Sequence, residues 1–73
     1  MPYVNIKLTP EGLTTKAKEK LIASVTELLV QQLNKSAETT IVIIDEVATD
    51  NWGIAGQSVT QRRKNSKNNA YKN

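Results

Sequence analysis

The sequence predicts an α+β fold: one βαβ unit of two parallel strands and one long helix, followed by a short C-terminal hairpin, with its sheet completed by oligomerisation. Three observations carry this. Val4, Ile6 and Leu8 alternate with Tyr3, Asn5 and Lys7, the period-2 pattern of a strand with one covered face. Leu21, Ile22, Val25, Leu28, Leu29 and Leu33 follow a 3.6-residue repeat. Ile41 to Ile44 is a continuous, β-branched run.

The first strand spans 2–8, and Pro2 suits its start, where a missing ladder donor matters least. Pro10 and Gly12 mark the turn that follows. Thr14 or Thr15 can cap the helix by accepting from an orphan backbone N–H. Lys16, Lys20, Glu27 and Gln31 occupy its polar face, and Asn34 suits a left-handed cap at its end. The second strand is read over 39–47. Strand, helix and strand in so short a span form a right-handed parallel βαβ unit. Gly53 and Gly56 place a turn and short hairpin within 48–60. The domain is therefore expected over 1–60, with a basic, mobile tail over 61–73 whose Asn, Lys and Ser content resists packing.

Size demands partners. A chain of 73 residues buries a small fraction of its surface, and without cysteine it has no disulfide or thiolate metal site to staple it. Two strands and one helix also leave one sheet face uncovered. Other copies of the chain are the simplest cover.

Composition narrows the chemistry. With no histidine and no cysteine, the usual general base, the triad member and the thiol nucleophile are all missing. No Gly-rich phosphate loop occurs, and no metal or organic cofactor is implied. The longest apolar stretch, Ile41 to Ile44, is far short of the roughly 20 residues of a membrane span, and nothing resembles a signal peptide. A cytoplasmic protein is expected. The net charge of +3 is unevenly placed: Arg62, Arg63, Lys64, Lys67 and Lys72 crowd the tail, while the body carries more acids than bases. No RNA-stacking motif accompanies this basic run, so a solubilising tail is preferred to a nucleic-acid arm. Adjacent Asp45 and Glu46 point to opposite faces of a strand and cannot act as a carboxylate dyad; solvation or a salt bridge between subunits is expected.

Met1-Pro2, the alternating strand Pro2 to Leu8, Lys20-Leu21-Ile22, the run from Ile41 to Glu46, and the arm Asn51-Trp52-Gly53-Ile54-Ala55-Gly56 together resemble the 4-oxalocrotonate tautomerase family over about residues 2–63. The resemblance implies enol–keto tautomerisation of 2-hydroxymuconate-like dienols or other 2-oxo acid enols, of the kind met in aromatic hydrocarbon catabolism. It implies removal of Met1, the freed amine of Pro2 as catalytic base and acid, and pocket walls from Trp52, Leu8 and Ile54 of neighbouring subunits. It also implies a homohexamer built as a trimer of dimers. The family's two substrate-binding arginines have no match, since Gly12 or Leu13 and Ile41 stand at their positions. Arg62 and Arg63 are candidate replacements, as are Lys7 and Lys16.

A terminal proline suits the chemistry. A model α-amino group titrates near about 7.7–8.0, and apolar surroundings lower that value by disfavouring the cation. An amine titrating near neutral pH can take a proton and return it. The alternative reading is a non-catalytic oligomeric scaffold or binding module that keeps the fold. Retention of Met1 would favour it, because the Pro2 nitrogen would then be an amide.

Overall fold

The computed structural model describes residues 1–68. β1 (Tyr3–Leu8) runs parallel to β2 (Ile41–Glu46), with Tyr3 opposite Ile41 and Leu8 opposite Glu46. Backbone bonds extend the ladder at both ends: Ile41 N–H donates to the Pro2 carbonyl at 3.0 Å and Val47 N–H to that of Leu8 at 2.8 Å. Between the strands lies α1 (Thr15–Leu33), which packs on β2. Thr14 caps it, its hydroxyl accepting from Ala17 N–H at 3.0 Å, and Asn34 closes it in the left-handed region with φ 54°.

β2 starts two residues later than the expected 39–47. A short 3₁₀ turn, Ala37–Thr39, takes that chain instead, because Ser36 caps Glu38 N–H and the Thr40 hydroxyl returns to the Ser36 carbonyl at 2.7 Å. A second turn, Thr49–Asn51, leads into the hairpin β3 (Gly53–Ile54) and β4 (Gln57–Ser58). Its two linking residues, Ala55 (φ 52°) and Gly56 (φ 83°), both have positive φ, as a type I′ turn requires. Glycine takes that geometry freely and alanine does not. Ala55→Gly or Ala55→Asn should therefore stabilise the protein by about 0.5–1 kcal/mol, read as a raised thermal unfolding midpoint; an unchanged or lowered midpoint would count against strain at this turn.

Helical structure crosses the boundary expected at residue 60 and enters the region expected as a mobile tail. α2 (Val59–Asn68) continues the folded chain well past Gln61; residues 69–73 of the expected tail lie outside the described residues. Local capping outweighs the polar composition here. The Ser58 hydroxyl accepts from Gln61 N–H at 3.0 Å, and Gln61 and Asn65 bond one turn apart at 3.1 Å. Thr60 bonds back to Thr49 and Asp50, fastening the helix start to the preceding turn.

The sheet has two unequal faces. Val4, Ile6 and Leu8 of β1 share one face with Val42 and Ile44 of β2, all partly covered by α1. Tyr3, Ile41 and Ile43 lie on the other and remain 61%, 42% and 42% exposed. Among the described residues Val59 alone qualifies as a buried hydrophobic side chain. A single chain thus lacks the core from which a domain of this size draws its stability. No helix among the described residues is long and apolar enough to cross a membrane.

Candidate active site

Pro2 heads β1, half-buried, its carbonyl held by Ile41 N–H. The ring fixes φ, so this one bond and the ring together orient the nitrogen. Met1 before it is 86% exposed. While Met1 is attached, that nitrogen is an amide without a basic lone pair.

Leu8 and Trp52 gather at the opposite end of the sheet, joined through Val47. Val47 N–H donates to the Leu8 carbonyl, and the Val47 carbonyl accepts from the Trp52 indole at 2.9 Å. The indole N–H is thereby spent, leaving the ring of Trp52 for apolar contacts. Val59 N–H donates to the Trp52 carbonyl at 2.8 Å, tying the arm to α2. Ile54 follows on β3, 47% exposed. A shallow open cavity beside Trp52 is walled by Asp50, Gly53, Gly56 and Gln57, and neither Pro2 nor Leu8 lines it.

Six residue steps of extended chain separate Pro2 from Leu8, roughly 20 Å at about 3.3 Å each. One chain therefore brings Leu8 and Trp52 together and keeps Pro2 apart from both.

The candidate cations are also distributed. Arg63 reaches from α2 to the turn after β1, with Nη2 3.7 Å from Glu11 and 3.4 Å from the Thr9 hydroxyl. Thr9 in turn donates to Glu11. Arg63 thus stands at the Leu8 end of the sheet. Arg62, its neighbour on α2, is exposed. Lys7 is committed to Asp45 at 2.7 Å, and Lys16 is exposed on the first turn of α1. The carboxylates expected to be solvated or to bridge subunits are instead paired within the chain. Asp45 meets Lys7 on the bare face, and Glu46 meets Lys18 of α1 on the other, as the strand alternation requires.

Thr9, Glu11 and Val47 complete these arrangements and carried no signal in the sequence. Glu11 and Thr9 lie 52 and 54 residues from Arg63, and Val47 contributes only backbone. Among the described residues no three Asp or Glu side chains gather as a metal site would require.

Comparison with known proteins agrees with this architecture. The family profile described as "Tautomerase enzyme" matches residues 2–62. "Probable tautomerase K2" of Dickeya dadantii is 61% identical over 64 residues, covering 88% of this chain and 96% of that protein. The "2-hydroxymuconate tautomerase" of Bacillus subtilis is 35% identical over 60 residues, covering 82% and 95%. The crystal structure of DmpI from Helicobacter pylori superposes with a TM-score of 0.80 at 46% identity, covering 86% of this chain and 97% of that one. With two parallel strands, one long helix, a short hairpin and a profile match over most of its length, the chain belongs to the tautomerase family and is an isomerase.

Proposed function

We propose that this isomerase catalyses enol–keto tautomerisation with the amino-terminal nitrogen of Pro2, freed by removal of Met1, as general base and acid. The observation that carries this reading is the placement of Pro2: heading the first strand, locked through its carbonyl, and preceded by an exposed Met1. The lone pair takes the enol hydroxyl proton. As that oxygen becomes a carbonyl, the double bond shifts, and the protonated amine returns the proton to carbon in a 1,3- or 1,5-transfer. No cofactor takes part.

The substrate class is 2-hydroxymuconate-like or other enols of 2-oxo acids, in keeping with the name of the Bacillus subtilis relative. Leu8, Trp52 and Ile54 wall the pocket and supply low polarity, which favours the neutral amine. Because Pro2 lies about 20 Å from Leu8 in its own chain, and Trp52 is tied to the Leu8 end, the walls around each Pro2 come from neighbouring copies. The bare apolar face with Tyr3, Ile41 and Ile43 supports such an assembly, a hexamer made of three dimers. A cytoplasmic setting completes the reading.

Arg62 or Arg63 binds the substrate carboxylate. A charged hydrogen bond is worth about 1.5–3 kcal/mol, so Arg62→Ala or Arg63→Ala should raise KM by about one to two orders of magnitude. Unchanged kinetics in both would remove the pair from the site.

The test of the whole reading is an intact mass before and after 3-bromopyruvate. Loss of the Met1 mass with one adduct on Pro2 supports a free nucleophilic amine. Retained Met1 and no adduct on Pro2 would rule out proline chemistry.

A further inference from the structure

Two candidate carboxylate binders are already held by internal carboxylates over long range: Lys7 closely, by Asp45 at 2.7 Å, and Arg63 loosely, by Glu11. The Arg63 Nη2 atom stands 3.7 Å from a Glu11 oxygen, outside hydrogen-bond range, and makes a marginal 3.4 Å contact to the Thr9 hydroxyl. Both side chains are more than half exposed, at 56% and 54%. Exposed pairs of this kind contribute little, because water solvates either partner almost as well. Glu11 also has a second partner, the Thr9 hydroxyl, which keeps its carboxylate satisfied if Arg63 leaves.

The location matters as much as the looseness. Thr9 directly follows Leu8, and the Leu8 carbonyl is fixed through Val47 to the Trp52 indole. The Arg63–Glu11 contact therefore sits at the Leu8 end of the sheet. A guanidinium has five donors in a planar fork and forms its strongest contacts bidentately, near about 2.7–2.9 Å. Glu11 uses that fork poorly.

Resting on the reading of Arg63 as a carboxylate binder, we infer that Glu11 is an internal competitor for the substrate carboxylate and so weakens the hold of the site on free acids. In the free protein Glu11 neutralises Arg63. A substrate carboxylate that reaches the fork bidentately displaces Glu11, which stays on Thr9. An ester or amide group does not engage the fork, leaves Glu11 in place and pays no displacement. Glu11 thereby narrows the preference of the site for free 2-oxo acid enols over their esters and amides.

The test uses the assembled full-length protein and muconate, a non-reacting dicarboxylate, with Kd measured by calorimetry at low and high salt. Glu11→Gln removes the charge and keeps the shape, and should tighten muconate binding by about two- to fivefold, the range of an exposed ion pair. In an Arg63→Ala background the same change should have no effect. Muconate diester, which has no carboxylate, should gain nothing from Glu11→Gln. Unchanged or weaker binding in Glu11→Gln, or an equal gain without Arg63, overturns the inference. Binding needs no proton transfer, so repeating the titration on Pro2→Ala protein separates this result from the proline chemistry: that reading fails in kcat, this one in Kd.

Discussion

Pro2→Ala protein is expected to lose about 10²-fold in kcat/KM for a 2-oxo acid enol, the low end of what general-base catalysis contributes. The substitution leaves a primary amine, so part of the basicity survives. Protein that retains Met1 carries an amide there and should lose up to about 10⁴-fold. The pH profile gives an independent handle. The working form is the neutral amine, so kcat/KM should rise with pH through the pKa of the amine, reach a plateau above it, and fall about tenfold per pH unit below it. Apolar neighbours disfavour the cation, placing that pKa below the roughly 7.7–8.0 of a model amine. A profile flat from pH 5 to 9, or full activity in Pro2→Ala protein, would sink the assignment.

Ile41→Asp combined with Ile43→Asp should abolish assembly. Each isoleucine is 42% exposed in the single chain, and burying such a side chain is worth about 1.5–3 kcal/mol. The new carboxylates would have to be desolvated without partners, since Lys7 on the same face already holds Asp45. Sedimentation should show a species close to the 8.1 kDa chain mass, with activity gone because Leu8, Trp52 and Ile54 no longer reach a neighbour's Pro2. The unaltered protein offers a companion measurement: its unfolding midpoint should rise with protein concentration, as mass action requires of a fold sustained by its partners. An unchanged sedimentation coefficient in the double variant would mean that this face is not the interface.

The elements that local chemistry dictates were legible in the sequence. The cap at Thr14 or Thr15, the left-handed cap at Asn34 and the 3.6-residue repeat bounded α1 to within a residue or two, and the alternation of Val4, Ile6 and Leu8 put the covered face of β1 where α1 lies. The helix after Ser58 was hidden by composition, although Ser58-Val59-Thr60-Gln61 has the spacing of a capping box. For the site, the sequence singled out Pro2, Leu8, Trp52, Ile54, Arg62 and Arg63 but could not order them in space. That Trp52 is spent on the Val47 carbonyl and that Arg63 meets Glu11 depend on contacts across the fold. Periodicity reports which face a residue shares; it says nothing about which backbone carbonyl or distant carboxylate will be met there.

The pinned indole of Trp52 also makes the protein its own optical probe. It is the single tryptophan of the chain, beside two tyrosines and no phenylalanine. With its N–H fixed to Val47 and its ring half-buried at the end of the sheet, its emission colour and anisotropy will report on that corner without any label. Dilution that separates the copies should redden the emission, and a ligand seated against the ring should quench it, so that association and occupancy can be followed in one cuvette by the same chromophore.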